Sequence, residues 1–412
     1  MEKQKRANLV LTACILFNLS IGVLYAWSVI GTRLSAPVYE GGFGWTASQA
    51  GLPYSMAIIV FATAMLFGGR VQDKVGPRWV MTAGSLCLGF GLVLAGLMGN
   101  SVVGIVLGFG VFASIGMGLG YGCATAPALK WFHAGKKGLV SGLIVGGFGL
   151  SAVGFAPLAA TLIGSFGISR TFIVLGVGNL LITTTLAQFV KNPPPGYVPA
   201  LPNKVKDHGA KTTQMENATW KQMMQTKRFY LMFIIFLLAS TVGVMVIGSM
   251  TRIAQTQAGI SQAGILSFLV AFLALTNTFG RVVGGILSDK IGRLNTLTGI
   301  LVLQMLNMAF FAFFENLPLL LLGIVIVGFC FGTLLSVMPV LCADQYGLKN
   351  FGLNYAILFL AWGLSGVIAP VIANFLYDTT GSFRITYIIC AIMMAAMALV
   401  NLWLKKEIQK VA

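Results

Sequence analysis

Long apolar stretches alternate with short polar segments over nearly the whole chain, from Leu9 to Leu404. Twelve of these stretches are about 20 residues long or longer, the length that a helix needs to cross the hydrocarbon core of a bilayer. Because unpaired backbone groups are costly in lipid, each stretch is expected to be helical. We predict spans at 8–31, 45–69, 79–99, 102–129, 138–166, 171–190, 229–251, 261–287, 295–314, 318–343, 352–377 and 383–404.

The longest polar interruption, 191–228, separates six predicted spans from six. It has too little apolar surface to fold alone, although Trp220–Met224 could form a short helix at the membrane interface. The sequence therefore predicts an all-α membrane protein with twelve transmembrane helices in two six-helix bundles. The bundles comprise 1–190 and 229–412, and 191–228 is a cytoplasmic central loop between them.

Composition and charge support a membrane protein and give it an orientation. Of 412 residues, 57% are hydrophobic and 9% are charged, with a mean hydropathy of +0.88. The net charge of +17 comes from 27 basic residues, nearly all of which fall in the tails and the loops on the terminal side. By the positive-inside rule both termini are cytoplasmic, in a multi-pass protein of the cell inner membrane. The excess charge is an orientation signal, so nucleic acid is not expected as a partner. The basic residues outside that side are Arg33, Arg170, Arg252, Arg384 and, inside a span, Arg281.

Two loop motifs recur in the two halves of the chain. Residues 68–78 read GGRVQDKVGPR and residues 284–293 read GGILSDKIGR, which places Asp73 and Asp289 216 positions apart. A second pair of loops, 131–138 and 345–352, repeats at the similar offset of 214. Internal repeats of this kind are typical of secondary transporters. The two bundles are therefore predicted to be pseudo-symmetric.

The chain resembles the major facilitator superfamily, whose G-x-x-x-D-[RK]-x-G-[RK] loop follows the second helix and recurs after the eighth. The resemblance implies the major facilitator fold, and it implies that Asp73 and Asp289 lie against the amino terminus of a helix from the other half. An anion at that end of a helix is favoured by roughly 0.3–1 kcal/mol. The resemblance thus gives both residues a gating role. In the alternative interpretation they merely cap their loops and balance Lys74 and Lys290.

The eighth span carries Arg281, and Asn277 precedes it by one helical turn on the same face. Burial of an arginine in a span costs at least about 2.5–3.5 kcal/mol on insertion scales, so it requires a compensating role. One alternative is that the side chain reaches cytoplasmic water, and another is a structural ion pair. The predicted spans contain no interior Asp or Glu, and a guanidinium fits a carboxylate bidentately. We therefore expect Arg281 to bind an anion that comes from outside the protein.

The surroundings of Arg281 are similar to those of the monocarboxylate transporter and oxalate:formate antiporter branch of this superfamily. That branch has an Asp or Asn four positions before its helix 8 arginine, and its helix 5 signature resembles residues 131–147. The resemblance implies that Tyr25, Tyr121 and Phe331 line the substrate cavity. In the alternative interpretation these aromatic side chains simply pack between helices.

Two departures from the branch bear on substrate and coupling. The oxalate carriers have a second cation on helix 11, where this sequence has Leu358, so a single carboxylate is favoured over oxalate. Asn277 replaces the aspartate that carries the proton in proton-coupled members. Proton symport is therefore implied by the resemblance alone, and anion exchange and facilitated diffusion stay open.

The sequence thus predicts a secondary transporter of small monocarboxylates, such as lactate or pyruvate, that works by alternating access. Its expected partners are the monocarboxylate anion, a co-transported proton by resemblance, and the lipid bilayer. No cofactor, metal or enzymatic activity is expected, since the spans hold no paired nucleophile and base. The alternatives are an anion exchanger of the oxalate and formate type, and a carboxylate sensor that signals through 191–228 without transport.

Overall fold

A computed structural model of the chain describes residues 2–199 and 217–410. Of the predicted central loop, residues 200–216 lie outside this described part. The short helix predicted at Trp220–Met224 is present, and it begins with a capping box in which Thr219 and Gln222 bond each other's backbone.

The described residues are almost entirely helical, as expected for a chain that crosses lipid repeatedly. Eleven helical stretches among them are long and apolar enough to cross a membrane. The longest, 134–189, contains Gly167 with φ +78° and ψ 172°, a conformation that ends one helix and begins another. The predicted all-α membrane fold is therefore confirmed, with this bent stretch accounting for two of the predicted spans.

The helices group into two compact units, each with its own interior. The first unit comprises Met1–Trp131, Gly147–Val198 and Phe351–Ala356. The second comprises Phe132–Gly146, Pro199–Asn350 and Ile357–Ala412. The beginning of the fifth predicted span, up to Gly146, thus packs as part of the second unit. The beginning of the eleventh, up to Ala356, packs as part of the first.

The first unit is held together by close contacts between glycine-rich helices. Helix α4 packs along the fourth span, and a methyl group on Gly116 would overlap backbone atoms of Gly84 and Leu88. Small residues allow helices in lipid to approach to this distance and gain dispersion energy. The α-helices in the first half of the sequence are α1 (Glu2–Ile21), α2 (Trp27–Ser35), α3 (Ala47–Val75), α4 (Pro77–Leu97), α5 (Val102–Ile105), α6 (Ser114–Trp131) and α7 (Lys137–Phe189).

Two spans of the first unit are less regular than the sequence suggested. The first predicted span, 8–31, is interrupted by one 3₁₀ segment at Gly22–Ala26, where Ser151 donates to the carbonyl of Gly22 at 3.2 Å. The fourth predicted span contains a π-helical segment at Val106–Ala113. Such segments often mark functional regions of helices. An apolar pattern predicts that a helix is present but does not resolve its local winding.

The second unit is organised around one central pair of helices, α10 and α12. Glycines again lie in the contact, since a methyl group on Gly332 would overlap the carbonyl oxygen of Asn277 and one on Gly328 would overlap Thr276. The remaining helices are α8 (Trp220–Met224), α9 (Lys227–Gln257), α10 (Ala263–Ile291), α11 (Arg293–Phe311), α12 (Leu317–Tyr346), α13 (Phe351–Thr380) and α14 (Arg384–Gln409).

Several helices continue beyond the apolar spans that predicted them. Helix α3 reaches Val75 and α10 reaches Ile291, so Asp73 and Asp289 lie in final helical turns and not in loops as expected. Asp378 and Glu407 likewise belong to helices. The expectation was wrong because apolar length measures only the part of a helix in hydrocarbon. Polar turns beyond it keep their backbone hydrogen bonds in water.

The glycine contact in the first unit generates a stability prediction. Gly116→Ala should lower the free energy of unfolding by about 1–3 kcal/mol, because the added methyl group overlaps the backbone of α4. Gly178→Ala is the matched control, since a methyl group there meets no atom within 4 Å. Thermal unfolding of the purified protein in detergent measures both. Equal midpoints for the two variants would contradict the packing argument.

Candidate functional site

The centre of the candidate site is Arg281 on α10, whose guanidinium is enclosed by protein. The residue is 2% exposed. Its Nε donates to Oδ1 of Asn277 at 3.0 Å, one turn earlier on the same helix. Its Nη1 donates to the backbone carbonyl of Val145 on α7 at 2.6 Å. The guanidinium is thus held in place by two neutral acceptors.

No carboxylate neutralises this guanidinium among the residues that the structure describes. The five ion pairs there involve other basic side chains. The 2% exposure also argues against a side chain that reaches water. Hydrogen bonds to neutral groups offset part of the desolvation cost of the cation, but they leave its charge uncompensated. The described contacts therefore satisfy hydrogen-bond donors of Arg281 without supplying a counter-charge.

Glycines on both neighbouring helices bring backbone close to Arg281. On α7, a methyl group at Gly142 would overlap the carbonyl oxygen of Arg281 itself. On α12, Gly332 lies against the carbonyl of Asn277. Helix α10 is therefore packed tightly on two sides at the level of the guanidinium. This packing allows the Val145 carbonyl to reach Nη1.

Two of the aromatic residues predicted to line the cavity lie together in the first unit. Tyr25 meets Phe148 edge to face with ring centroids 5.3 Å apart, and Tyr121 meets the same ring at 5.0 Å. Phe61 adds a third contact to Tyr121, at 5.5 Å. Tyr121 is buried, whereas Tyr25 lies on the 3₁₀ segment and is partly exposed. Phe148 is the centre of this aromatic group.

The third predicted aromatic residue, Phe331, lies in the second unit. Its ring packs against Gly243 of α9, and it lines a small cavity with Cys330 and Gln304. The next residue on α12, Gly332, is the one that meets Asn277. The structure thus brings Arg281 together with Asn277, and Tyr25 together with Tyr121. It places Phe331 in a different contact from Arg281.

The two repeated aspartates each accept two hydrogen bonds from the first turn of a helix. Asp73 accepts from the backbone amides of Gly352 and Leu353 at the start of α13, both at 3.1 Å. Asp289 accepts from Gly138 and Leu139 at the start of α7, at 2.9 and 2.8 Å. Each carboxylate satisfies amides that have no partner within their own helix, and it lies at the positive end of the helix dipole. Their gating role stays a prediction.

The surroundings of these two aspartates differ in charge. Asp289 also pairs with Arg293 at 2.6 Å, and Asp344 pairs with both Arg293 at 3.3 Å and Lys137 at 3.1 Å. None of the described ion pairs includes Asp73. In the repeat with offset 214, the position of Asp344 corresponds to Lys130. The acid at that place in the second half is therefore a base in the first.

Sequence reasoning missed three parts of this arrangement. The four-residue ion network could have been suspected, because Lys137 and Arg293 belong to the repeated loops and Asp344 ends a span. Phe148 carried no signal that distinguished it from other apolar residues of its helix. The Val145 carbonyl could not have been found, because a backbone acceptor has no sequence signature.

Comparison with known proteins places the chain among transporters. It matches the family model described as Major Facilitator Superfamily over residues 16–317 and 299–411. The chain is 28% identical to the uncharacterized MFS-type transporter YhjX of Escherichia coli over 88% of its own length and 87% of that protein. It is 24% identical to the probable sulfoacetate transporter SauU of Cupriavidus necator, over 91% and 89% of the two chains. It is also 24% identical to the oxalate:formate antiporter of Oxalobacter formigenes, over 91% and 87%.

A solved structure agrees with these relatives on the fold. The human organic anion transporter MFSD10 superposes with a TM-score of 0.72 at 15% identity, over 97% of this chain and all of that one. At this identity the likeness concerns the fold alone. The family model, in contrast, covers most of the sequence. The chain therefore belongs to the Major Facilitator Superfamily.

Proposed function

We propose that this transporter carries small monocarboxylates, such as lactate or pyruvate, and that it binds their carboxylate at Arg281. The observation that carries the proposal is that Arg281 is 2% exposed and has neutral acceptors at Nε and Nη1, with no carboxylate among its described contacts. Arginine cannot lose its proton to escape burial. A substrate anion would supply the missing charge and, by neutralising the site, lower the cost of closing protein around it.

The relatives favour an anionic substrate, and the number of basic residues within the spans favours a substrate with one carboxylate. Two of the relatives are named for the transport of sulfoacetate and of oxalate with formate, all of which are anions. In this chain Arg281 is the single basic residue in the interior of the predicted spans, since Arg384 is only the second residue of its span, and Leu358 stands where the oxalate carriers are expected to have a lysine. One fixed positive charge balances one carboxylate. This is the reason for proposing monocarboxylates.

The other predicted residues take supporting roles in this proposal. Asn277 fixes the guanidinium through Nε and can present its amide nitrogen to the anion. Tyr121 and Tyr25 supply aromatic wall and hydroxyl groups for the organic part of the substrate. Phe331 remains a predicted lining residue, and its present contact is with Gly243.

Two side chains bear on whether transport is coupled to protons. Asn277 does not titrate, and the described His133 lies in the connection between α6 and α7. There, partial burial and the positive charge of Lys136 lower the pKa of the His133 imidazole from its usual value. Proton symport therefore rests on the family resemblance. The oxalate:formate relative favours a second candidate, exchange of one carboxylate for another.

The proposed cycle is alternating access in the cell inner membrane, with both termini in the cytoplasm. Segments 1–190 and 229–412 would be the two moving bundles and 191–228 the cytoplasmic loop. Asp73 and Asp289 would act as gates, because their hydrogen bonds tie the ends of α3 and α10 to the first turns of α13 and α7. These bonds must break when the protein opens on that side.

The substrate assignment is tested by Arg281→Gln in proteoliposomes. Uptake of radiolabelled lactate, pyruvate, acetate and oxalate is measured with and without an imposed pH gradient. Monocarboxylate uptake should fall to the level of empty liposomes, since the charge that binds the anion is gone. Arg281→Lys should keep little uptake, because an ammonium lacks the planar fork.

Arg384→Gln is the matched control, since the side chain of Arg384 is 70% exposed and pairs with an exposed glutamate. Its uptake should equal that of the unmodified protein. Monocarboxylate uptake that survives in Arg281→Gln would refute the assignment. Stimulation by an inward proton gradient would support symport, and stimulation by internal carboxylate alone would support exchange.

The gating role is tested by Asp289→Asn. The amide loses the charge that holds the first turn of α7 and leaves Arg293 with one partner fewer, so the initial uptake rate should change by about tenfold or more. Lactate affinity should change little, since Arg281 is intact. Asp378→Asn, at an exposed position of α13, is the control. An unchanged rate, or a parallel loss of binding, would argue against a gate.

A further inference from the structure

The first ten residues of α7, 137–146, contact α10 and α12 along one continuous face. We call this segment the α7 strap. At its beginning Lys137 pairs with Asp344, and Asp289 binds the amides of Gly138 and Leu139. These contacts hold the amino terminus of the strap by charge.

The middle of the strap is held by backbone proximity. Ser141 donates its hydroxyl to the carbonyl of Ser336 on α12 at 2.9 Å. Gly142 lies so close to α10 that a methyl group would overlap the Arg281 carbonyl. Toward the other end the contact loosens, since a methyl group on Gly146 would lie 3.4 Å from Val282.

The last polar contact of the strap is the bond from Arg281 Nη1 to the Val145 carbonyl, at 2.6 Å. A guanidinium can bind a carboxylate bidentately along its Nε and Nη2 edge or its Nη1 and Nη2 edge. On the first edge Nε already donates to Asn277, and on the second Nη1 already donates to Val145. A bidentate anion must therefore displace Asn277 from the single Nε–H on the first edge, or share Nη1 with the Val145 carbonyl on the second.

The two acceptors do not respond to an anion in the same way. Asn277 can turn its amide and offer a donor to the carboxylate. The Val145 carbonyl has no donor, so its oxygen and a carboxylate oxygen at the same edge repel each other. A carboxylate also adds charge–charge attraction and can form two parallel hydrogen bonds with the guanidinium, neither of which a neutral carbonyl provides. Displaced from Arg281, the carbonyl can still accept within its own helix.

We propose that the Val145 carbonyl is a built-in competitor of the transported anion, and that binding of the anion at Arg281 releases this end of the α7 strap. This inference rests on the proposed function. It names the event that connects substrate binding to the gate, because the strap that loses its contact at Val145 is the one whose first amides bind Asp289. Val145 and Gly142 are thus positioning residues for the site.

The test is the affinity of the purified full-length protein for lactate, measured by calorimetry, in Gly142→Ala. The added methyl group forces the strap away from α10 and lengthens the bond from Arg281 to Val145. Lactate should then bind about tenfold more tightly, because one competing hydrogen bond to a charged group is removed. The rate of lactate uptake in proteoliposomes should fall, because binding no longer drives release of the strap.

Gly154→Ala is the matched control, on the same helix at a position where a methyl group meets no atom within 4 Å. It should leave the dissociation constant of lactate within about twofold of the original, since both substitutions change helix propensity equally. Ser141→Ala provides a second, milder variant that removes the hydroxyl bond to Ser336 without adding volume. It should shift affinity and rate in the same directions as Gly142→Ala.

The outcomes separate this inference from the proposed function. If lactate and pyruvate do not bind the unmodified protein, the proposed function and the inference about Val145 are both refuted. If they bind and Arg281→Gln abolishes binding, the proposed function stands. Should Gly142→Ala or Ser141→Ala then bind lactate as the Gly154→Ala control does, or more weakly, the Val145 carbonyl is not a competitor and the inference is overturned.

Discussion

The interaction on which the site depends is the burial of a permanent positive charge against two neutral oxygens. Arg281 cannot deprotonate, and its neighbours Asn277 and Val145 satisfy hydrogen bonds without supplying charge. The electrostatic cost of burial therefore remains largely unmet in the described structure. In the proposed function, this uncompensated charge is what gives the site its preference for an anion.

Glycine packing makes this condition possible. Because α7 and α12 approach the backbone of α10 closely at Gly142 and Gly332, Arg281 is enclosed by protein and is only 2% exposed. The same approach brings a main-chain carbonyl within hydrogen-bonding distance. A wider helix separation would admit water, which would solvate the cation and weaken its demand for a counter-ion. The small residues thus contribute to electrostatics as well as to stability.

The sequence was sufficient for the parts of the structure that follow from chain length and pattern. The spans could be predicted because the thickness of the bilayer sets the length of each apolar stretch. The pairing of Arg281 with Asn277 could be predicted because a charge inside a span is rare and the spacing of residues along a helix is regular. The sequence did not predict the 3₁₀ segment at Gly22–Ala26 or the π segment at Val106–Ala113, because these segments differ from an α-helix only by small changes of winding. The sequence also did not predict the partners of Arg281 and Asp289 on α7, because these partners are backbone groups.

The charges at the two aspartates show how far the internal repeat extends. Both halves keep an aspartate that binds the first turn of a helix, since that contact needs only a carboxylate and two free amides. The side-chain charges around it have diverged, with Asp344 corresponding to Lys130 and an ion network only at Asp289 within the described residues. Asp289 is paired with Arg293, whereas Asp73 lies near Lys130 without forming an ion pair among the described residues. If the two contacts open at different energies, they open in a fixed order, and the contact at Asp289 is the one that holds α7, whose Val145 carbonyl meets Arg281.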